Sequence, residues 1–204
     1  MTTKEAIIFE SLKLFSVNGY DAVSTRMIAK AVNASDAVIY KHFRSKKEIF
    51  DTIVQMCTER FMTKQSEMHL EDLCWKDVEK ICMDMFEFQT ADEWIVLFRR
   101  MLIIEQFKNA EIGEIYRNFF INGPVKTMTA IFANLIEQGY MKEGTPEVYA
   151  MELYAPFFMY HIFDDNLEDI KKYLEEHVTR FRYNVVTDEC YLDIDDKYKR
   201  KLKK

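Results

Sequence analysis

Apolar residues recur at helical spacing along almost the whole chain. From Lys4 to Val17, Ile8, Leu12 and Phe15 fall on one face, the three-to-four-residue period that buries one side of an α-helix. Asn18-Gly19 is a stop signal, with Gly19 suited to the left-handed position after a last turn. A short second helix starts at Ser24, a residue that caps helix N-termini, and turns Ile28, Ala29 and Val32 inward. Asn33 stands where the backbone must reverse; after Gly, Asn best tolerates the left-handed conformation such a turn needs. Ser35 has the chemistry to cap a third helix, anchored by Ile39 and Phe43 four residues apart. Its outer face holds Asp36, Ala37, Tyr40 and Lys41, with Val38 and His42 at the edge. Ser45 and Glu48 have the spacing of a capping box and open a fourth helix, from about Lys46 to about Met68.

Helices continue beyond that point. Glu71 to Gln89 carries Leu73, Val78, Ile81, Cys82, Met85 and Phe86 at helical spacing. Asp92 to Phe107 is apolar on nearly all sides, as a central buried helix is. Ala110 to Phe120 follows, and Asn122-Gly123-Pro124 reads as a firm break before a helix from Val125 to Gln138. Thr145-Pro146-Glu147 opens another, running to about Phe163; Asp165-Asn166 breaks it, and Leu167 to about Val186 is the last. The expected fold is all-α, with about nine helices. A three-helix helix-turn-helix domain (1–46) joins a larger helical domain (47–187), followed by a charged tail (188–204). The short third helix, with its small, polar, aromatic and basic outer face, suits insertion into a DNA groove.

Composition supports this reading. Hydrophobic residues make up 49% and charged residues 30% of 204, enough for a sizeable core and against a disordered chain. Only 5 Gly and 3 Pro favour long helices. The 16 Phe, 11 Tyr and 12 Met fit either a large core or an adaptable apolar cavity. Net charge is −6, yet residues 1–50 hold 7 Lys/Arg against 5 Asp/Glu, so a mildly basic head sits on an acidic body. That localises any DNA contact to the head.

The four cysteines (Cys57, Cys74, Cys82, Cys190) form no CxxC pair, and His42, His69, His161 and His177 have no metal-ligand spacing. No metal, cofactor or catalytic constellation is expected, and hence no enzyme. With no secretory signal and no apolar run near the ~18 residues of a membrane span, a reduced, cytoplasmic protein is expected.

The run LFSVNGYDAVSTRMIAKAVNASDAVIYKHFRSKKEIF resembles the N-terminal domain of the TetR family of transcriptional regulators. Leu14-Phe15, Gly19-Tyr20, Ser24-Thr25, Ile28-Ala29, Ala31, Ser35, Tyr40, Phe43 and Ser45-Lys46 carry the likeness, over roughly the first 50 residues. Asn33 and Ala37 stand where the family commonly has Gly; the second puts the operator sequence in question. The resemblance implies DNA contact by Ser24, Thr25, Arg26, the face from Ser35 and Asp36 to His42, and Lys46. Tyr40, His42 and Lys46 would hold phosphates, while Asp36, Ala37, Val38 and Lys41 would face base edges.

The resemblance also implies an inducer pocket within the helical body. Phe86, Trp94, Phe98, Met101, Phe119 and Phe120 are candidates for its wall. Glu105, an acid at the end of an apolar helix, would suit a cationic ligand or a surface salt bridge. The last two helices carry wide apolar faces (Met151, Tyr154, Phe158; Ile170, Leu174, Phe181), and such a hairpin can pair with its copy as a four-helix bundle. The expected function is that of a homodimeric regulator, most simply a repressor, that binds a palindromic double-stranded DNA operator and is released by a small molecule. The alternatives are an enzyme or a helical protein-interaction adaptor using the aromatic-rich body.

Overall fold

The structure, a computed structural model, describes residues 2–68, 75–161 and 167–187. Their helices are α1 (Thr3–Asn18), α2 (Thr25–Ala31), α3 (Asp36–His42), α4 (Lys46–Ser66), α5 (Trp75–Ala91), α6 (Glu93–Glu105), α7 (Ala110–Arg117), α8 (Gly123–Glu137), α9 (Pro146–Tyr160) and α10 (Leu167–Val185). A π-helical turn, Asn118–Asn122, lies between α7 and α8. The all-α expectation holds. The expected start of α5 at Glu71, the end of α9 at Phe163, the break at Asp165-Asn166 and the tail at 188–204 lie outside the described residues, as do His69, Cys74 and Cys190.

The chain divides into two compact units: residues 1–67 with 88–117, and residues 68–87 with 118–204. They cut the chain differently from the functional division expected above, because α4, α6 and α7 group with α1–α3.

In the first unit Ile8, Leu12 and Phe15 of α1 and Ile28 of α2 are buried with Ile39 of α3. Ile49, Ile53 and Phe61 of α4 and Ile95, Phe98, Met101 and Leu102 of α6 extend this core. α2 and α4 start with the capping chemistry read above, Ser35 and Thr145 make no side-chain cap bond, and α1 adds a cap that was not read from the sequence. The Glu5 N–H donates to Thr2 Oγ1 and the Thr2 N–H to the Glu5 carboxylate, a closed capping box. The Met27 N–H donates to Ser24 Oγ, and the Glu48 N–H to Ser45 Oγ. The second half of the expected Ser45/Glu48 box is displaced: the Glu48 carboxylate accepts from the Arg44 N–H at 2.5 Å, one residue earlier.

The second unit is built on stacked rings. Phe132 of α8 lies against Trp75 of α5 and Phe181 of α10, with centroids 6.2 and 5.8 Å away. Met141 forms an isolated antiparallel bridge with Val186, tying the loop after α8 to the end of α10.

The firm break expected at Asn122-Gly123-Pro124 is absent. Asn122 is helical, and the chain passes from α7 through the π turn into α8. Gly123 permits this, because a Cβ there would meet the Asn118 carbonyl oxygen at 2.5 Å. Pro124 sits near the first position of α8, which proline tolerates.

Candidate nucleic-acid interface

Two short helices and the turn between them form the site. Asn33 has φ +53°, the left-handed conformation expected of it. The turn closes with the Asn33 N–H on the Lys30 carbonyl (3.1 Å) and the Ala34 N–H on the Ala29 carbonyl (2.9 Å). α3 is fixed from beneath by Ile39 and by Phe43 just past its end, both buried. With the helix anchored on one side, Asp36, Ala37, Tyr40 and Lys41 are exposed, Tyr40 at 57%, while Val38 and His42 are half-buried. From α2, Arg26 is exposed and Thr25 half-buried. The guanidinium of Arg26, the ammonium of Lys41 and the phenol of Tyr40 therefore all belong to exposed residues.

Two residues of this set, Ser35 and Lys46, behave differently from expectation. Ser35 is at the N-cap of α3 but makes no side-chain cap bond; its hydroxyl is exposed. Asp36, in the first turn, places negative charge at the positive end of the helix. Ser24 uses its hydroxyl as the α2 cap. Lys46, expected on phosphate, is turned inward: its Nζ donates to the carbonyls of Tyr20 (2.7 Å) and Val23 (2.8 Å) and lies 3.5 Å from that of Asp21. It also sits 4.2 Å from the Tyr20 ring centroid. The α1–α2 turn presents those carbonyls to Lys46, a cation in the first turn of α4, where the helix dipole alone would disfavour positive charge. Its neighbour Lys47 bonds Asp51 one turn on at 2.9 Å, and that carboxylate pushes the Lys47 pKa up.

Behind the interface, α6 is tied to the head at both ends. At its start Asp92 caps the helix through the Ile95 N–H and pairs with Arg60 of α4 at 2.9 Å. The Arg60 guanidinium lies 5.2 Å from the centre of the Trp94 ring, which in turn meets Phe9 of α1 at 5.0 Å. At its end Glu105, 1% exposed, accepts from the Tyr20 N–H (3.1 Å) and from Lys108 Nζ (3.3 Å). Glu105 is thus a buried acceptor for a turn in the head; Trp94 is a packing residue between α1 and α4. Neither role was visible in the sequence, because the partners lie 85 residues away for Glu105 and on α1 and α4 for Trp94.

The other pocket candidates separate in the same way. Phe98 and Met101 are fully buried in the first unit. Phe86 and Phe120 meet in the second around His161, Phe86 stacked at 5.8 Å and Phe120 edge-on at 6.3 Å, with Phe119 beside Phe120. A groove of about 450 Å³ in the first unit is lined by Met56, Glu59, Arg60, Thr63, Lys64, Glu67 and Phe88, none of them anticipated.

Of the expected dimer residues, Ile170, Leu174 and Phe181 are buried within the second unit. The helical period of α10 identifies a buried face but does not say whether the same chain or a copy covers it, and here the same chain does. Tyr154 is half-buried and donates to the Phe120 carbonyl at 2.6 Å. Phe158 is half-buried, and Met151 is 61% exposed beside Val148 and Met159 on α9. Tyr173 and Tyr183 are exposed on α10.

Cys57 is a buried free thiol whose pKa burial pushes up to about 12. Among the described residues, no group of three His, Cys, Asp or Glu is placed to hold a metal, and no helix is long and apolar enough to cross a membrane.

A sequence model of the family described as "Bacterial regulatory proteins, tetR family" matches residues 7–53. The biofilm operon icaADBC negative transcriptional regulator IcaR of Staphylococcus aureus (strain Newman) is 44% identical over 54 residues, 26% of this chain and 29% of that protein. IcaR of Staphylococcus epidermidis is 28% identical over 109 residues, 53% of this chain and 58% of that protein. The chain thus spans less than two thirds of either relative. Among solved structures, the triclosan complex of SmeT, the repressor of the Stenotrophomonas maltophilia multidrug efflux pump SmeDEF, superposes with a TM-score of 0.68 at 18% identity, covering 93% of this chain and 94% of that one. That likeness is one of fold.

Proposed function

We propose that this chain is a TetR-family, DNA-binding transcriptional regulator that works as a repressor, a reading supported by the tetR-family match over residues 7–53 and by a fold shared with a protein assigned to that family. It is a regulator and not an enzyme. The observation that carries this is the exposed face of α3, held from beneath by Ile39 and Phe43, with Arg26 exposed on α2. Residues 1–46 would make the DNA contacts, 47–187 would hold ligand and partner, and 188–204 would be a charged tail. A recognition helix of 7 residues reads few bases, so a two-fold homodimer on a palindrome, with half-sites ~34–36 Å apart, supplies the rest. The exposed Val148, Met151 and Met159 of α9 and Tyr173 of α10 are the apolar surface such a dimer would cover. Repression is the role named for IcaR and SmeT. Release by a small apolar molecule is favoured by the Phe86/Phe120 cluster and by the triclosan bound to SmeT. Cytoplasmic residence fits this role.

The test is selection from a random duplex library at two salt concentrations. Enrichment of a palindrome whose affinity falls steeply with salt supports the reading. No enriched sequence and no salt dependence would point to a protein-binding adaptor instead.

A further inference from the structure

Glu105 is an acid at the end of a largely apolar helix, and it is buried. Burying a carboxylate costs free energy unless its oxygens find donors. We propose that Glu105 is a positioning residue of the DNA-binding head: from the end of α6 it holds the α1–α2 turn, and so sets where α2 and α3 stand. Its Oε1 accepts from the Tyr20 N–H at 3.1 Å and from Lys108 Nζ at 3.3 Å. The Lys108 side chain is 58% exposed, so solvent screens that pair. The Tyr20 bond is the one that reaches the head, across 85 residues of sequence.

The turn is shaped for this acceptor. Gly19 precedes Tyr20 with φ +80°, and a Cβ there would run into the Glu105 Oε1. The missing side chain lets the carboxylate approach the backbone. The Tyr20 carbonyl then accepts from the Val23 N–H at 3.4 Å. Val23, itself buried, immediately precedes Ser24, the cap of α2, and α2 leads through the Asn33 turn into α3. In the free chain the same Tyr20 carbonyl also takes Lys46 Nζ at 2.7 Å. If that lysine turns to a phosphate on DNA, the Glu105 bond stays with the turn.

This rests on the DNA-binding reading, and the experiment separates the two. With the duplex enriched from the random library, affinity is measured for the full chain and for Glu105→Gln and Glu105→Leu. The temperature is one at which circular dichroism shows each fully folded. Both variants lose the same negative charge, and that charge opposes the like charge of DNA, so charge alone predicts tighter binding by both. Positioning predicts that they part. Glu105→Gln keeps an acceptor for the Tyr20 N–H and should bind no more weakly than the full chain. Glu105→Leu should bind about tenfold more weakly, the size of a lost hydrogen bond to a charged group. Equal affinities for the two variants would overturn the proposal, whether both are tighter or both weaker than the full chain.

Amide hydrogen exchange of the unmodified protein, read by nuclear magnetic resonance, tests the bond without a substitution. The Tyr20 amide should exchange several-fold more slowly than those of Asp21 and Ala22, exposed residues of the same turn. Tyr20 exchanging as fast as Asp21 and Ala22 would sink the idea. This arm decides the matter if Glu105→Leu does not fold. It also stands if no duplex is enriched, which would count against the DNA-binding reading alone.

Discussion

Tyr20 and Phe132 are both aromatic residues of a helical unit, and they are held by different means. Tyr20 is gripped by directed bonds: its N–H on Glu105, its carbonyl on Lys46, its ring between Phe15 and Phe50 at 5.4 and 5.2 Å. Phe132 is held by faces alone, between Trp75 and Phe181. The contrast extends to the surroundings. In the first unit Ser24, Ser45 and Asp92 cap helices, while Arg60, Glu105 and Lys46 tie one helix to another. In the second, Trp75, Phe86, Phe120, Phe132, Phe157 and Phe181 form ring-to-ring contacts. Directed bonds fix donor and acceptor positions, whereas ring pairs are held by area and by offset-stacked or edge-on preference.

If the second unit rests on ring contacts, removing one of them should have the largest effect of any single change considered. Phe132→Ala is expected to cost ~3–5 kcal/mol, the range for emptying a buried aromatic site. Urea unfolding followed by circular dichroism measures it. A cost below that of the polar changes in the first unit would reverse the contrast.

Next comes the grip on Tyr20. Glu105→Gln keeps an acceptor for the Tyr20 N–H and gives up the partly exposed pair with Lys108, so it should cost less than about 1 kcal/mol. Glu105→Leu removes the acceptor and should cost ~1.5–3 kcal/mol, as for a lost hydrogen bond to a charged group. Gly19→Ala belongs to the same site. With φ +80° and ψ 161°, Gly19 occupies a region open essentially to glycine, so a side chain costs ~1–3 kcal/mol before any clash. A Cβ there would also strike the Glu105 carboxylate. Equal costs for Glu105→Gln and Glu105→Leu in thermal unfolding would mean that the Tyr20 N–H needs no partner.

The head was far more legible in the sequence than the contacts behind it. Ser24, Asn33, Ser45 and Gly19 act through their own backbone or through residues within four positions, so spacing alone located them. Ile39 and Phe43 were legible for the same reason. Lys46, Glu105 and Trp94 act across 23 to 85 residues or between helices, and no local pattern encodes that. Ile170, Leu174 and Phe181 were correctly seen as apolar, but periodicity is silent on which surface covers them. Gly123 misled because Gly-Pro usually ends a helix, whereas here the missing Cβ admits the Asn118 carbonyl and keeps the chain helical.

A smaller effect probes the start of α6. Asp92 both caps that helix and pairs with Arg60, whose side chain is 38% exposed. Asp92→Ala should cost ~1 kcal/mol through the lost cap. Arg60→Met removes only a solvent-screened pair and should fall below that, within about 0–1 kcal/mol. An Arg60→Met loss equal to that of Asp92→Ala in thermal melts would show that the pair, and not the cap, fixes α6.

The smallest stability effect separates two serines of the head that the sequence treats alike. Both precede short helices, but only Ser24 accepts from its helix, through the Met27 N–H at 3.2 Å. Ser35 makes no such bond, and its hydroxyl is exposed at the edge of the α3 face. Ser24→Ala should therefore cost ~1 kcal/mol of stability. Ser35→Ala should leave the melting temperature almost unchanged while weakening operator binding, because its free hydroxyl is available to DNA. Melting curves and duplex titrations on the two variants decide this. If Ser35→Ala destabilises the protein as much as Ser24→Ala, the hydroxyl caps α3 in solution, and the face offered to DNA begins at Asp36. If it changes neither stability nor affinity, Ser35 lies beyond the reach of the groove, and the contact surface is carried by Arg26, Tyr40 and Lys41.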